Sequence, residues 1–113
     1  MILQRFVITE FFRTPNVDWG IVKIWYYRNT DVLKRRIIIY PNFIEDKFFD
    51  NEGAVHRDYG QPAIITSSGG ESYYYHGKLH RGHFEPAVIY SDGLEEYWVY
   101  GEKRFETASL RSF

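Results

Sequence analysis

Residues of this chain recur at a spacing of 24. Gly53, Gly77 and Gly101 are evenly spaced, and His56-Arg57 returns as His80-Arg81. Pro62-Ala63 returns as Pro86-Ala87, Gly69 as Gly93, Glu71 as Glu95, Tyr73 as Tyr97, and Tyr74 as Trp98. Nothing is inserted or deleted between the two copies. A fixed period of this size signals supersecondary units stacked on one another, because one such unit cannot bury its apolar face alone. Stacked units build extended surfaces more readily than enclosed catalytic pockets.

Each period reads as a β-hairpin. Ala87-Val88-Ile89-Tyr90 is a short β-prone run. Ser91-Asp92-Gly93 supplies the positive-φ positions that a tight reversal needs. Leu94 to Tyr100 is the return strand, and Gly101-Glu102-Lys103 turns the chain again. The earlier copy runs Ala63 to Thr66, Ser67 to Gly70, Glu71 to Tyr75, then His76-Gly77-Lys78. Pro62 and Pro86 stand just before a first strand, where a missing N–H costs least.

The N-terminal half reads as decayed copies. Trp25 to Asn29 stands for Tyr73 to Gly77, Lys34 to Tyr40 for His80 to Tyr90, and Glu45 to Asp50 for the next aromatic strand. Residues 2–12 are ambiguous: Ile2, Leu3, Phe6, Val7 and Phe11 fit a helical face, while the density of Phe, Val, Ile and Thr favours a strand, with Gly20 to Tyr27 as its partner. Phe105 to Phe113 is expected to be a short cap or loop. The expected fold is all-β: an antiparallel meander of stacked 24-residue hairpins in one twisted or curled sheet. It is a single domain over residues 1–113, with 1–52 degenerate, 53–104 clear, and 105–113 a tail.

With 113 residues the chain is long enough to fold alone. It has no cysteine, so disulfides and thiolate metal sites are excluded. Met1-Ile2-Leu3 is followed at once by Gln4-Arg5, which does not read as a signal peptide. No apolar run approaches a membrane span. A soluble, cytoplasmic protein is expected. Its 14 basic and 15 acidic residues give a net charge of −1, against duplex nucleic-acid binding. Aromatic residues make up 19% of the chain, 10 of them Tyr, and Arg outnumbers Lys. Tyr with Arg is a contact-surface composition.

The units Gly53-Ala54-Val55-His56-Arg57 … Pro62-Ala63 and Gly77-Lys78-Leu79-His80-Arg81 … Pro86-Ala87, each followed by an aliphatic run, Gly and an aromatic strand, resemble a MORN-like repeat family. Such units are abundant in bacteriophage and giant-virus proteins. The likeness covers residues 53–104 well and 20–52 weakly. The consensus places Asp-Gly before Pro-Ala, and both copies depart from it, with Gly60-Gln61-Pro62 and Phe84-Glu85-Pro86. The resemblance implies β-hairpins in an elongated sheet that binds protein or, in some members, lipid. It implies no catalytic residue, and it suggests a viral or phage origin with action in the host cytoplasm.

His76, His80 and His83 lie close together, and His80-x-x-His83 has the spacing of half a zinc site. Equivalent histidines in successive hairpins fall two strands apart, about 10 Å, so His56 and His80 would not share an ion. Without cysteine, and with Glu85 the single nearby acid, no metal is expected. Each His-Arg pair is expected to order the connection between hairpins, with the His bonded to backbone carbonyls. Ser91, His83 and Asp92 could form a triad on paper, but Ser67-Ser68 and Ser91-Asp92 are ordinary turn residues. Ser68-Gly69-Gly70 is too short for a phosphate loop.

Strand alternation puts Tyr73, Tyr75, Tyr97 and Val99 on one face and Tyr74, Trp98 and Tyr100 on the other. Both faces are aromatic, so the sheet must curl, be covered, or leave one face open. The expected function is a non-enzymatic protein-binding module, without cofactor, contacting its partner through Tyr73, Tyr75, Tyr97, Trp98 and Arg81. The partner would be a host protein, or the chain itself as a structural subunit of a homo-oligomer or viral assembly. Single-stranded nucleic acid or a nucleotide, at Lys34-Arg35-Arg36 beside Arg28, is a weaker alternative given the charge balance. No membrane is expected as a partner.

Overall fold

The computed structural model describes residues 4–14, 17–27 and 30–107, with the side chains of residues 20–27 and 30–107. Eleven β-strands account for its regular structure, and among the described residues there is no helix. None is therefore long and apolar enough to cross a membrane. Nine strands form one antiparallel sheet. β1 (Gln4–Thr14), β2 (Val17–Tyr27), β3 (Leu33–Tyr40) and β4 (Phe43–Phe48) follow one another as a meander. β5 (Ile64–Thr66), β6 (Glu71–Ser72), β9 (Val88–Ile89), β10 (Glu95–Val99) and β11 (Glu102–Glu106) continue it. β7 (Tyr74–Tyr75) and β8 (Lys78–Leu79) pair only with each other, outside that sheet.

The expected strand at the start of the chain is present. Gln4 pairs with Tyr27 and Phe12 with Gly20, as the β-branched and aromatic content of both segments favours. Two other expectations need correction. The return strand of the first clear hairpin does not run unbroken from Glu71 to Tyr75. It ends at Ser72, and the N–H of Tyr73 donates to the carbonyl of Ala87 at 2.7 Å. Residues from Gly101 onward do not form a turn and a tail. Only Tyr100-Gly101 reverses the chain, and Glu102–Glu106 is a strand beside β10. Residues 108–113 lie outside the described part.

The reversals at His76-Gly77 and Tyr100-Gly101 are two-residue hairpin turns with both residues at positive φ (46° and 88°, then 46° and 85°). That geometry matches the right-handed twist of paired strands. At Gly77 a side chain would also approach the Cβ of Ala54 at 3.3 Å, so glycine is required twice over.

The best-buried residues are small or unusual: Ala63 and Ala87 at 0% exposure, with Tyr73, Val88, Asp50 and His56 close behind. The Arg57 guanidinium lies 3.9 Å from the ring centre of Phe48, and Arg81 lies 3.9 Å from that of Tyr73. Each arginine donates to a proline carbonyl at 3.2 Å, Arg57 to Pro62 and Arg81 to Pro86. Those bonds hold the Pro-Ala segments, whose alanines pair by backbone with both flanking strands: Ala63 with Phe48 and Ser72, Ala87 with Tyr73 and Glu96.

Candidate functional site

The loop after Arg81 and the β10–β11 hairpin enclose a groove of about 420 Å³, lined among others by Arg81, His83, Phe84, Tyr97, Trp98 and Phe105. Strand alternation alone would separate Tyr97 from Trp98. The ladder between β10 and β11 shifts at this point, with Tyr97 opposite Phe105 and Trp98 opposite Lys103. The extra residue on β11 is Arg104. The extra residue distorts β11, while β10 keeps its alternation: the Tyr97 hydroxyl reaches Glu95 and the Trp98 indole reaches Glu96, each two residues back on its own strand. Both residues nevertheless line the groove.

Tyr97, Trp98 and Arg81 are each held by a neighbour. Tyr97 stacks on Phe105 with ring centres 4.2 Å apart. The Trp98 indole N–H donates to Glu96 at 2.8 Å. That bond, with help from the Tyr90 hydroxyl and Lys103, outweighs partial burial and holds the Glu96 carboxyl below the usual carboxylate range. The Arg81 backbone N–H donates to the Trp98 carbonyl at 3.1 Å, which fastens the loop to β10. The Arg81 guanidinium caps Tyr73 and pairs with Glu85 at 2.8 Å.

Phe84 stands at the mouth of the groove and is 96% exposed. His83 and Phe84 both have positive φ, 61° and 57°. For residues with a Cβ this conformation costs about 1–2 kcal/mol each. The residue 24 positions earlier is Gly60, also at positive φ. An exposed ring thus occupies a position where glycine fits without strain.

Of the five residues expected at a contact surface, Arg81, Tyr97 and Trp98 meet in this groove. Tyr73 does not belong to an open surface: it is 8% exposed and lies under Arg81. Tyr75 is half exposed and belongs to a second cluster of rings. There His56 stacks on His76 and His80 on Tyr100, each pair with centres 3.9 Å apart, and Tyr75 meets both stacks edge-on.

The histidines bond differently from expectation. His56 Nδ1 accepts the backbone N–H of His76 at 3.0 Å, and His80 Nδ1 accepts that of Tyr100 at 3.0 Å. They serve as acceptors for the left-handed turn residues, not as donors to carbonyls. An imidazole that accepts at Nδ1 carries its proton on Nε2, and His56 Nε2–H donates to Asp58 at 2.7 Å. His76 Nδ1–H donates to the buried Asp50 at 2.7 Å. These groups, with Tyr27 and Thr30, line a polar hollow of about 480 Å³. The Tyr27 hydroxyl donates to the Phe49 carbonyl at 2.7 Å, and burial raises its pKa. Among the described residues no group of three or more His, Cys, Asp or Glu is placed to hold a metal ion.

Residue pattern alone missed Asp50 and Phe84. Asp50 stands alone in the repeat register and carries no motif. Phe84 has one legible signal, an aromatic ring standing 24 residues after Gly60. Comparison with known protein families, with curated proteins and with solved structures finds no match for this chain.

Proposed function

We propose that this chain is a non-enzymatic repeat module that binds a protein partner through the groove between the Arg81–Glu85 loop and the β10–β11 hairpin. The observation that carries this reading is Phe84. Its ring is 96% exposed on a positive-φ backbone, and it lines the groove with Trp98, Tyr97 and Arg81. Strain retained at an exposed site points to a task at that site. Aromatic residues and arginine in a desolvatable pocket are the usual anchors of protein interfaces. The matched contacts of Arg57 and Arg81, 24 residues apart, support the repeat part of the reading. An accessory protein of a virus or phage, acting on a host protein, is the setting that the MORN-like resemblance implies.

The test is Phe84→Gly. The variant relieves the strain and removes the ring, so stability is expected to rise by about 0.5–1 kcal/mol while capture of the partner falls. Thermal melting and pull-down with quantitative mass spectrometry, run on both proteins, read the two effects separately. Equal capture by both proteins, or a lower melting temperature for the variant, would sink the proposal.

A second reading is a structural subunit that assembles with copies of itself. The observation favouring it is the number of large apolar side chains left exposed, Tyr59, Tyr75, Tyr100 and Phe105 among them.

A further inference from the structure

The two outer edges of the nine-stranded sheet differ. β11, at one edge, has five residues, four of them charged (Glu102, Lys103, Arg104 and Glu106). Short, charged edges resist further pairing. β1, at the other edge, is 11 residues long, contains no proline, and has β2 as its single neighbour among the described residues. Such an edge presents a row of unpaired backbone donors and acceptors, a template for another strand.

A second β1 running antiparallel fits that template by symmetry. Under a two-fold axis residue i opposes j and j opposes i, so one favourable pair is made twice. β1 carries three charges, Arg5, Glu10 and Arg13. The register with Arg5 opposite Glu10 makes two opposite-charge pairs. It requires that the two positions share a phase of the ladder, which residues five apart ordinarily do not. The irregularity between Phe6 and Ile8 supplies the correction. Arg5 pairs with Tyr26 and Glu10 with Val22, four residues apart on β2, so both stand in one phase. Arg13 falls in the second irregularity, between Phe12 and Thr14, and has no regular partner position. The register with Arg5 opposite Arg13 would set like charges together twice.

We propose that β1 is a self-association edge: two copies of this chain join antiparallel through it, with Arg5 of each opposite Glu10 of the other, in one continuous sheet. This rests on β1 alone and is independent of the groove, which lies at the opposite end of the sheet. Phe84→Gly is expected to leave the dimer intact, so the two readings fail separately.

The test uses charge reversal in the full chain, followed by sedimentation velocity over a range of concentrations. Arg5→Glu alone sets acids opposite acids at both pairs, and Glu10→Arg alone sets bases opposite bases. Each is expected to weaken dimerisation about tenfold or more. An equimolar mixture of the two variants is complementary at both pairs and is expected to recover dimer at the wild-type affinity. That recovery cannot come from misfolded chains. A wild-type protein that stays monomeric at the highest soluble concentration overturns the proposal. So does a dimer indifferent to both reversals, or a mixture no more dimeric than its components.

Discussion

Replacing Tyr73 by alanine is expected to destabilise the fold by about 3–4 kcal/mol, the range for removing a buried aromatic ring. The ring is 8% exposed and lies under the Arg81 guanidinium. Its loss removes a buried apolar body and takes the π face from a cation that also holds the Pro86 carbonyl. A domain with 5–15 kcal/mol of total stability feels such a loss strongly. The hydroxyl matters less. It reaches Glu71 at 3.3 Å, a long bond, so Tyr73→Phe is expected to cost under about 1 kcal/mol. Tyr97→Ala removes a half-buried ring stacked on Phe105, with an expected cost of about 1–2 kcal/mol. Urea midpoints of the three variants check this order. If Tyr73→Ala proved no worse than Tyr97→Ala, Tyr73 would not be the packing centre described above.

The second large effect is expected at Asp50. Its carboxylate is 4% exposed as a residue and takes three donors. The backbone N–H groups of Glu52 and Ala54 each donate at 2.9 Å, and His76 Nδ1–H at 2.7 Å. Asp50→Ala leaves these donors without their acceptor, at an expected cost of about 3 kcal/mol. Asp50→Asn keeps one carbonyl oxygen and is expected to lose roughly half as much. The carboxyl also sets an acid limit. Burial alone would raise its pKa, but the hydrogen bonds from His76, Ala54 and Glu52 together outweigh burial and lower it. The unfolded chain therefore takes up a proton at a higher pH than the folded one. Stability from this group is complete above the ordinary carboxylate pKa of about 4 and fades as pH falls below it. Glu96, lowered by the same kind of bonding, adds to the acid slope. Denaturation curves from neutral pH downward should show a shallower acid slope for Asp50→Asn than for the wild type.

The β class, the first strand with its Gly20–Tyr27 partner, and the glycine turns were legible because each rests on local chemistry. Phe, Val and Ile fill pleated positions, and Gly77 and Gly101 permit positive φ. The interruptions of the ladders were not legible, because reading by alternation assumes an unbroken strand. Neither the shift beside Arg104 nor the break at Tyr73 leaves a propensity signal. The His-Arg pair was legible as an organiser of the connections, but not its bonding. An imidazole can donate or accept, and only the placement of the next turn's N–H decides which. Three of the five residues expected at a contact surface line the groove, while Tyr73 lies under Arg81, a contact between residues eight apart in sequence that alternation does not address.

β8 ends after two residues and its chain swings away, whereas β11 runs on for five. In doing so β11 enters the lane beside β10, as β9 lies in the lane beside β6. Glu96 pairs with Glu106, and the Thr107 N–H donates to the Glu95 carbonyl at 2.8 Å. The strand after Gly77 thus lies outside the nine-stranded sheet, and the strand after Gly101 forms its edge. Lengthening the sheet on that side would require β11 to peel away first.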